Sequence, residues 1–356
     1  TPGAETPGRP GHDPQPQCYL LMLSIKDDNN FSHCYGCGLC TLVCPLWHQG
    51  GDVSRTPQGY ARAMQAGGDA DRQAAFDCLL CGACDVVCPQ SIDTVDLVLA
   101  LRRNAQLDMS QQCSKVEENI DKVATRRGFC SGREEAFLLA DTALAERRGA
   151  NGENLLQQVM EQLNLRCCVT QAADHGEDIS HALQRGEVVE SARLEAFLKP
   201  LRSASKLIVS DGLLKRMLQQ WLPHCDVVSL GFALSNLPAV RERLNGDDLY
   251  LIEPRAYHAD FKQLVDHYDT LGRERGCHLN LDLQRLAIPS GSNPHQPPQH
   301  HGGFDATKQA QWLMQGRAVS RIVVESLDDL SLISAVSQKP VIHIAELASL
   351  PPGGQP

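Results

Sequence analysis

The chain has 356 residues, enough for two or three domains with apolar cores, and its hydrophobic content of 42% is typical of a soluble protein. Its net charge of −10 argues against a nucleic-acid partner, because such proteins present a basic surface. Its apolar runs, such as residues 95–101, are well short of the ~20 residues that a membrane span needs.

The first segment, residues 1–17, is rich in proline, glycine and polar residues. A segment of this composition buries too little apolar area to fold, so we expect a disordered tail. It also lacks the apolar centre of a signal peptide, so we expect no such peptide here.

Two cysteine runs with the same spacing lie in the next segment, residues 18–107. Each reads Cys-x2-Cys-x2-Cys-x3-Cys-Pro, the run with which bacterial ferredoxins hold [4Fe–4S] clusters. Three closely spaced thiolates wrap one side of a cluster, and small residues between them let the backbone approach it. The runs consist of Cys34, Cys37, Cys40 and Cys44 before Pro45, and of Cys78, Cys81, Cys84 and Cys88 before Pro89.

The fourth ligand of each cluster comes from the other run. In proteins with two clusters, the cysteine before the proline binds the neighbouring cluster. We therefore predict two [4Fe–4S] clusters: cluster I held by Cys34, Cys37, Cys40 and Cys88, and cluster II held by Cys78, Cys81, Cys84 and Cys44. A zinc site or disulfides are the alternatives, and the spacing disfavours both because zinc ribbons pair two Cys-x2-Cys units.

The remaining residues of this module predict helices. Residues 59–66 and 95–103 have helical character, Asp93 or Thr94 is a suitable N-cap for the second helix, and strand alternation is lacking. We therefore expect an all-helical ferredoxin module at 18–107. A mainly helical connector is predicted to follow at 108–150.

Several other residues are weaker candidates for a functional role. His33 and His48 flank the first run, where each could donate a hydrogen bond to cluster sulfur, and Trp47 could shield the cluster from water. Ordinary surface or core positions are the simpler interpretation of all three. A loop with His295, His300 and His301 could bind a metal, but a solvated surface loop is the simpler interpretation. The adjacent Cys167 and Cys168 could form a redox pair, but two buried, unreactive thiols are the simpler interpretation.

The rest of the chain contains an internal repeat. Short, continuously apolar runs flanked by helical sequence are typical of buried parallel strands. These runs lie at 205–211 and 226–233, again about 115 residues later at 320–326 and 340–346, and once more at 249–252. We therefore predict two related α/β halves with parallel sheets, at 151–245 and 246–350. The predicted fold class is α+β multidomain.

The order of these parts resembles the iron–sulfur subunits of glycolate oxidase, anaerobic glycerol-3-phosphate dehydrogenase and heterodisulfide reductase, over about Cys34 to Ala348. In that family each half carries a Cys-Cys-Gly motif and a Cys-x-x-Cys pair, which can hold an additional cluster. The corresponding segments of this chain lack these cysteines: 173–176, 210–213, 300–305 and 325–330. The resemblance therefore implies two degenerate CCG-like halves without the extra cluster or the chemistry that depends on it.

The function that these features predict is electron transfer within a multi-subunit oxidoreductase, with no catalytic residue in this chain. No flavin, nicotinamide or nucleotide fingerprint is present, so electrons must come from another chain. We expect that partner to be a flavoprotein or metal-containing dehydrogenase, and the acceptor to be a quinone-reactive membrane subunit or a soluble carrier.

Two other functions remain open at this point. One is a catalytic quinone or heterodisulfide-type reductase, and the other is a regulatory iron–sulfur protein. The clustered cysteines fit a reducing compartment, so we expect a cytoplasmic protein, or one held peripherally on the inner face of the membrane through a partner.

Overall fold

The computed structural model describes residues 30–67, 74–110, 136–149, 152–164, 169–293 and 303–349. Within these ranges a helical N-terminal module precedes two four-stranded parallel sheets with helices packed around them. The prediction of a mixed α/β fold with a helical N-terminal part is confirmed. Three other predictions lie outside the described residues: the tail at 1–17, the pair Cys167 and Cys168, and the loop with His295, His300 and His301.

In its described parts, residues 30–67 and 74–110, the N-terminal module contains five α-helices and three short 3-10 helices. The α-helices are α1 (Leu39–Leu42), α2 (Pro45–Gly50), α3 (Pro57–Gln65), α4 (Ala83–Val87) and α5 (Thr94–Ser110), and the 3-10 helices are Asn30–His33, Val53–Arg55 and Ala74–Asp77. Proline opens α2 and α3, where the missing N–H has no helical partner to lose. The two helices predicted in this module are confirmed as α3 and α5.

The first α/β half contains a sheet with the strand order β2-β1-β3-β4. Its strands are β1 (Ala136–Leu139), β2 (Val169–Gln171), β3 (Lys206–Val209) and β4 (Asp226–Ser229). Its helices are α6 (Thr142–Glu146), α7 (Leu155–Asn164), α8 (Glu177–Arg185), α9 (Ser191–Leu201), α10 (Gly212–Trp221), α11 (Leu230–Ser235) and α12 (Pro238–Arg243). All of its strand pairs are parallel, because each strand is followed by a helical crossover.

The second half repeats this arrangement with the strand order β6-β5-β7-β8. Its strands are β5 (Asp248–Leu251), β6 (His278–Leu279), β7 (Arg321–Val324) and β8 (Val341–His343). Its helices are α13 (Pro254–Ala259), α14 (Phe261–Arg275), α15 (Ala306–Met314), α16 (Leu327–Val336) and α17 (Ile344–Ser349). The repeated runs in the sequence form β3 and β4 in one sheet and β7 and β8 in the other, at equivalent places in the strand order.

The strand β1 departs from the prediction, because it lies inside the stretch 108–150 for which a helical connector is expected. Its four residues are Ala-Phe-Leu-Leu, a run too short to distinguish a strand from a helix by periodicity. Pairing with β2 on one side and β3 on the other makes it a central strand. Pairing with these two strands therefore decides the conformation of β1. The rest of the predicted connector at 111–135 lies outside the residues that the structure describes.

The two halves share one apolar core. A single cluster of buried side chains includes Leu138 and Val159 from the first half and Tyr250, Val323 and Leu347 from the second. Helix α17, at the end of the second half, packs against α7 of the first. Lys215 of α10 is completely buried and pairs with Asp260, so an ion pair also joins the halves. None of the described helices combines the length with the apolar sequence that a bilayer span requires.

The module docks on the second half through a buried histidine, His258 of α13. Its Nε2 accepts a hydrogen bond from the Ala287 N–H at 3.1 Å, so its Nδ1 carries the proton and donates to the Cys81 carbonyl at 2.6 Å. Burial lowers the pKa of His258 to about 4, which keeps this neutral form at physiological pH. The imidazole therefore ties the second cysteine run to the second half.

Replacing Gly82 with alanine tests this contact. Gly82 has a φ of 77°, and an added Cβ would lie 3.2 Å from the Cβ of His258. Gly51 has a φ of 64° with no heavy atom within 4 Å of its added Cβ, so Gly51→Ala is the matched control. Both variants incur a left-handed backbone strain of about 1–2 kcal/mol, and only Gly82→Ala also strains the docking. We expect the larger drop in unfolding temperature for Gly82→Ala, and equal drops would contradict the contact.

The carboxyl group of Glu325 is buried, with 4% of the residue exposed. Because burial disfavours the charged carboxylate, we expect this group to make the free energy of unfolding depend on pH. The hydroxyls of Tyr250 and Tyr268 donate to Oε1 at 2.6 and 2.7 Å, and the Glu253 N–H donates to Oε2 at 2.9 Å. Burial outweighs these bonds and raises the pKa of Glu325 to about 7. The folded protein therefore binds this proton more tightly than the unfolded chain, and the resulting stabilisation, complete below pH 4.5, is lost as the pH rises towards 7.

The free energy of unfolding of the wild-type chain should decline between pH 5 and pH 8, and we expect Glu325→Gln to remove about 1–3 kcal/mol of that decline. Urea denaturation at both pH values measures the free energy of unfolding. Glu161→Gln, at an exposed position of α7, is the control and should leave the decline unchanged. A decline of unaltered size in Glu325→Gln would show that other groups cause it.

Candidate functional site

The two cysteine runs adopt the same local structure. In the first run Gly38, with a φ of 82°, precedes α1, which contains Cys40. In the second run Gly82 precedes α4, which contains Cys84. The left-handed glycine turns the chain sharply, so that the cysteines before the turn and the cysteine in the following helix face one space.

Two cavities bring the eight cysteines together in crossed sets. The first cavity is lined by Cys34, Cys37, Cys40 and Cys88. The second cavity is lined by Cys44, Cys78, Cys81 and Cys84. Each cavity therefore takes three cysteines from one run and the last cysteine of the other. This grouping matches the predicted ligand sets, although which thiolate binds which cluster stays a prediction.

The thiols of these cavities perturb one another electrostatically. Burial, followed by the neighbouring thiols Cys34, Cys88 and Cys37, raises the pKa of Cys40 to about 11. Burial and the nearby Cys78 raise the pKa of both Cys44 and Cys81 to about 12. Four thiolates can share such a space only when positive charge sits between them. The donor set of each cavity therefore fits a polynuclear iron–sulfur core.

Hydrogen-bond donors point at several of the sulfurs. The N–H groups of Leu80 and Ile92 each donate over 3.4 Å, to Cys78 Sγ and Cys88 Sγ. The hydroxyl of Thr94, the first residue of α5, lies 2.7 Å from Cys84 Sγ. Leu80 has a φ of 54°, an uncommon value for a residue with a side chain, and that backbone conformation accompanies its contact with sulfur.

The two cavities differ in exposure. Around the first, Tyr35 is 60% exposed and the side chain of Cys37 is exposed. Around the second, Cys44, Cys81 and Cys84 are each 8% exposed. Pro57 and Thr94 line both cavities, so a thin common wall separates them.

The weaker candidates of the first run have no place in either cavity lining. His33 and His48 are exposed and Trp47 is partly buried, which is the simpler interpretation of these side chains. Sequence reasoning also missed groups that surround the second cavity. Thr94 was considered only as a helix cap, and the buried Arg102 gave no signal because its surroundings come from distant parts of the chain.

Charged and hydroxyl side chains line a third cavity, of about 260 Å³, at the junction of the two halves. They follow the carboxyl ends of four strands, β1, β3, β5 and β7, where ligands of parallel sheets commonly bind. Two segments predicted to have lost cysteine pairs, 210–213 and 325–330, contribute to its lining. Its lining includes Asp141, Asp211, Glu253, Arg255, Asp328 and Asp329, and no cysteine among the described residues.

Comparison with known proteins bears on the N-terminal module. Residues 30–92 match the family model of the 4Fe-4S dicluster domain. No curated protein and no solved structure matches the chain. The matched segment contains all eight cysteines of the two runs, and no other part of the chain has such support. The chain is therefore an iron–sulfur protein with an electron-transfer role.

Proposed function

We propose that the chain holds two [4Fe–4S] clusters and passes single electrons between a catalytic subunit and an acceptor. The observation that carries this proposal is the crossed grouping of cysteines, because each cavity offers four thiols from both runs. In this proposal Cys34, Cys37, Cys40 and Cys88 hold cluster I, and Cys78, Cys81, Cys84 and Cys44 hold cluster II. Such clusters, when bound, supply reversible one-electron reduction at potentials that their surroundings set.

The protein groups around the sulfurs adjust and protect this chemistry. The N–H groups of Leu80 and Ile92 donate to thiolate sulfur, which stabilises additional negative charge there, and the Thr94 hydroxyl lies between Cys84 Sγ and Asp85 Oδ1. The completely buried Tyr60 and Leu97 belong to the apolar core around these loops, so water has little access from that side. The shared wall of Pro57 and Thr94 keeps the distance between the two sites short.

We propose protein partners on two sides of the module. Tyr35 and Leu39 are exposed beside the first cavity, which suits contact with one redox partner. A groove of about 470 Å³ lies beside the second cavity, and Val43 and Ala83 line both. This groove suits contact with the other redox partner. The partners are a flavoprotein or metal-containing dehydrogenase and a quinone-reactive membrane subunit or soluble carrier. The chain is then cytoplasmic, or peripheral on the inner face of the membrane through its partner.

In this scheme the α/β halves, which resemble degenerate CCG-type domains, form a docking platform. A catalytic reductase is the second candidate function, and the cavity at the junction of the halves favours it, since Leu79 lies in the linings of both that cavity and the second cysteine cavity. The two functions separate in an assay of the isolated chain with an artificial electron donor. Turnover of a quinone or a heterodisulfide would support the reductase, whereas reduction of the chain without turnover supports the electron carrier.

The crossed ligation makes a specific prediction for Cys44→Ser and Cys88→Ser. We expect Cys44→Ser to damage the cluster of the second run and Cys88→Ser that of the first, because each residue lines the cavity of the opposite run. EPR of the reduced protein should lose one signal, and the spin coupling between neighbouring clusters, in each variant. Iron and acid-labile sulfide should fall from about eight to about four per chain.

The matched control is Cys225→Ser, a free cysteine of the first half that lines neither cavity. It should keep the full iron content and the coupled signal. If Cys44→Ser instead removed the cluster of its own run, crossed ligation would be wrong. More than eight irons per wild-type chain would show an additional cluster and exclude the simple docking platform.

A further inference from the structure

The guanidinium of Arg102 is buried between the second cysteine run and the first α/β half. Arg102 is 1% exposed. Its Nε donates to the Ala75 carbonyl at 3.1 Å, its Nη1 to the Gln184 carbonyl at 2.6 Å, and its Nη2 to the carbonyls of Phe76 and Cys78. Within the described ranges no carboxylate forms an ion pair with it.

This charge is unusual because a buried arginine normally has a carboxylate partner. Arg321 of β7 shows the usual arrangement, since its Nε and Nη2 donate to the two oxygens of Asp248 at 2.8 and 2.6 Å. Among the residues that the structure describes, the Arg102 guanidinium contacts backbone carbonyl dipoles and the ring of Phe76, whose centroid lies 5.5 Å from its Cζ. Burial accordingly lowers the pKa of Arg102 to about 10, which is still high enough to keep it charged at neutral pH.

The second cysteine cavity lies beyond Cys78 as seen from Arg102. Arg102 Nη2 contacts the carbonyl of this cysteine, which lines the second cavity with three other thiols. Arg255 approaches the same loop, with its Nε 3.3 Å from the Leu79 carbonyl. Four thiolates around an iron–sulfur core carry a net negative charge, so the second cavity would supply the counter-charge. At the first cavity the corresponding arginine, Arg62, is exposed to solvent and contacts the Cys34 carbonyl at 3.3 Å.

Arg102 also connects this loop to the first half. Its Nη1 and the side chain of Gln106 donate to the carbonyls of Gln184 and Arg185, the last residues of α8. These terminal carbonyls carry the negative end of the helix dipole. Gly186 follows with a φ of 72°, and a Cβ there would lie 2.5 Å from the backbone carbon of Arg102. The close packing holds the guanidinium at Cys78.

We propose that Arg102 is the internal counter-ion of the cluster held by Cys44, Cys78, Cys81 and Cys84, and that its charge raises the reduction potential of that cluster. The inference rests on the proposed function, because it requires a cluster in the second cavity. Its physical basis is that a fixed positive charge in a poorly solvated site favours the more negative, reduced state. Arg102 is thus a positioning and tuning residue and takes no part in ligation.

The test is an anaerobic redox titration of the full chain, followed by EPR. Arg102→Gln removes the charge, and the signal lost in Cys81→Ser identifies the cluster of the second cavity. At a fixed applied potential, we expect Arg102→Gln to lower the ratio of reduced to oxidised cluster in the second cavity at least tenfold. This change is equivalent to lowering the reduction potential of that cluster by about 59 mV for one electron. The other cluster should change less than twofold. Arg103→Gln removes the same charge from the next position of α5 and should shift neither cluster.

Arg102→Lys keeps the positive charge but loses the planar guanidinium group and its hydrogen bonds to several carbonyls. Comparing it with Arg102→Gln therefore separates the effect of charge from the effect of packing. If Arg102→Gln fails to assemble the cluster, iron content decides: retention in Arg102→Lys supports the counter-ion, and loss in both variants overturns it. An unshifted potential in Arg102→Gln, or an equal shift of both clusters, also overturns it. A wild-type chain without two reducible clusters refutes the proposed function itself, which distinguishes the two failures.

Discussion

The convergence of four thiols from two separate runs is the constraint on which the N-terminal module depends. Cys88 completes the lining of the first cavity and Cys44 that of the second, so neither loop reaches its full set of donors alone. The two short helices that contain Cys40 and Cys84 begin after left-handed glycines, which bring the chain round tightly enough for this crossing. Helices α1 and α4 are therefore short, because the cysteine spacing, and not the apolar periodicity, determines where they begin.

The module is joined to the halves by apolar and polar contacts, since one buried cluster contains Leu97 of the module together with Leu183 and Phe197 of the first half. Arg102 reaches the end of α8, His258 of α13 bonds to the Cys81 carbonyl, and Arg216 of α10 pairs with Asp85 at 2.9 Å and with Asp93. All of these polar contacts lie close to the second run. The two halves likewise share a continuous apolar core. The polar contacts of the docking surface are therefore concentrated around the second run, while apolar packing extends over the rest of it.

The junction between the halves keeps the geometry of a ligand site with a different set of side chains. Parallel strands of both sheets end at this cavity, and carboxylates and serine hydroxyls stand at those ends. Burial raises the pKa of Asp141 to about 7 and that of Glu253 to about 8, so these acids are partly protonated at neutral pH. Such side chains are poor ligands for an iron–sulfur core.

Much of this organisation could be predicted from short-range patterns. The cysteine spacing predicted the redox chemistry, helices α3 and α5 followed from periodicity and capping, and the apolar runs at 207–209 and 322–324 predicted buried strands. The strand β1 could not be predicted, since four apolar residues fit a helix as well until β2 and β3 pair with them.

The cysteine spacing was enough to predict which sulfur atoms would bind a redox group, because ligand spacing is a local property of the chain. The groups that surround those sulfurs could be identified only in the folded chain. Helix α5 brings Thr94 to Cys84 and Arg102 to Cys78, and helix α13 of the second half brings His258 to Cys81. The physical reason is that burial and charge compensation are sums over neighbours distant in sequence, and folding alone assembles those neighbours.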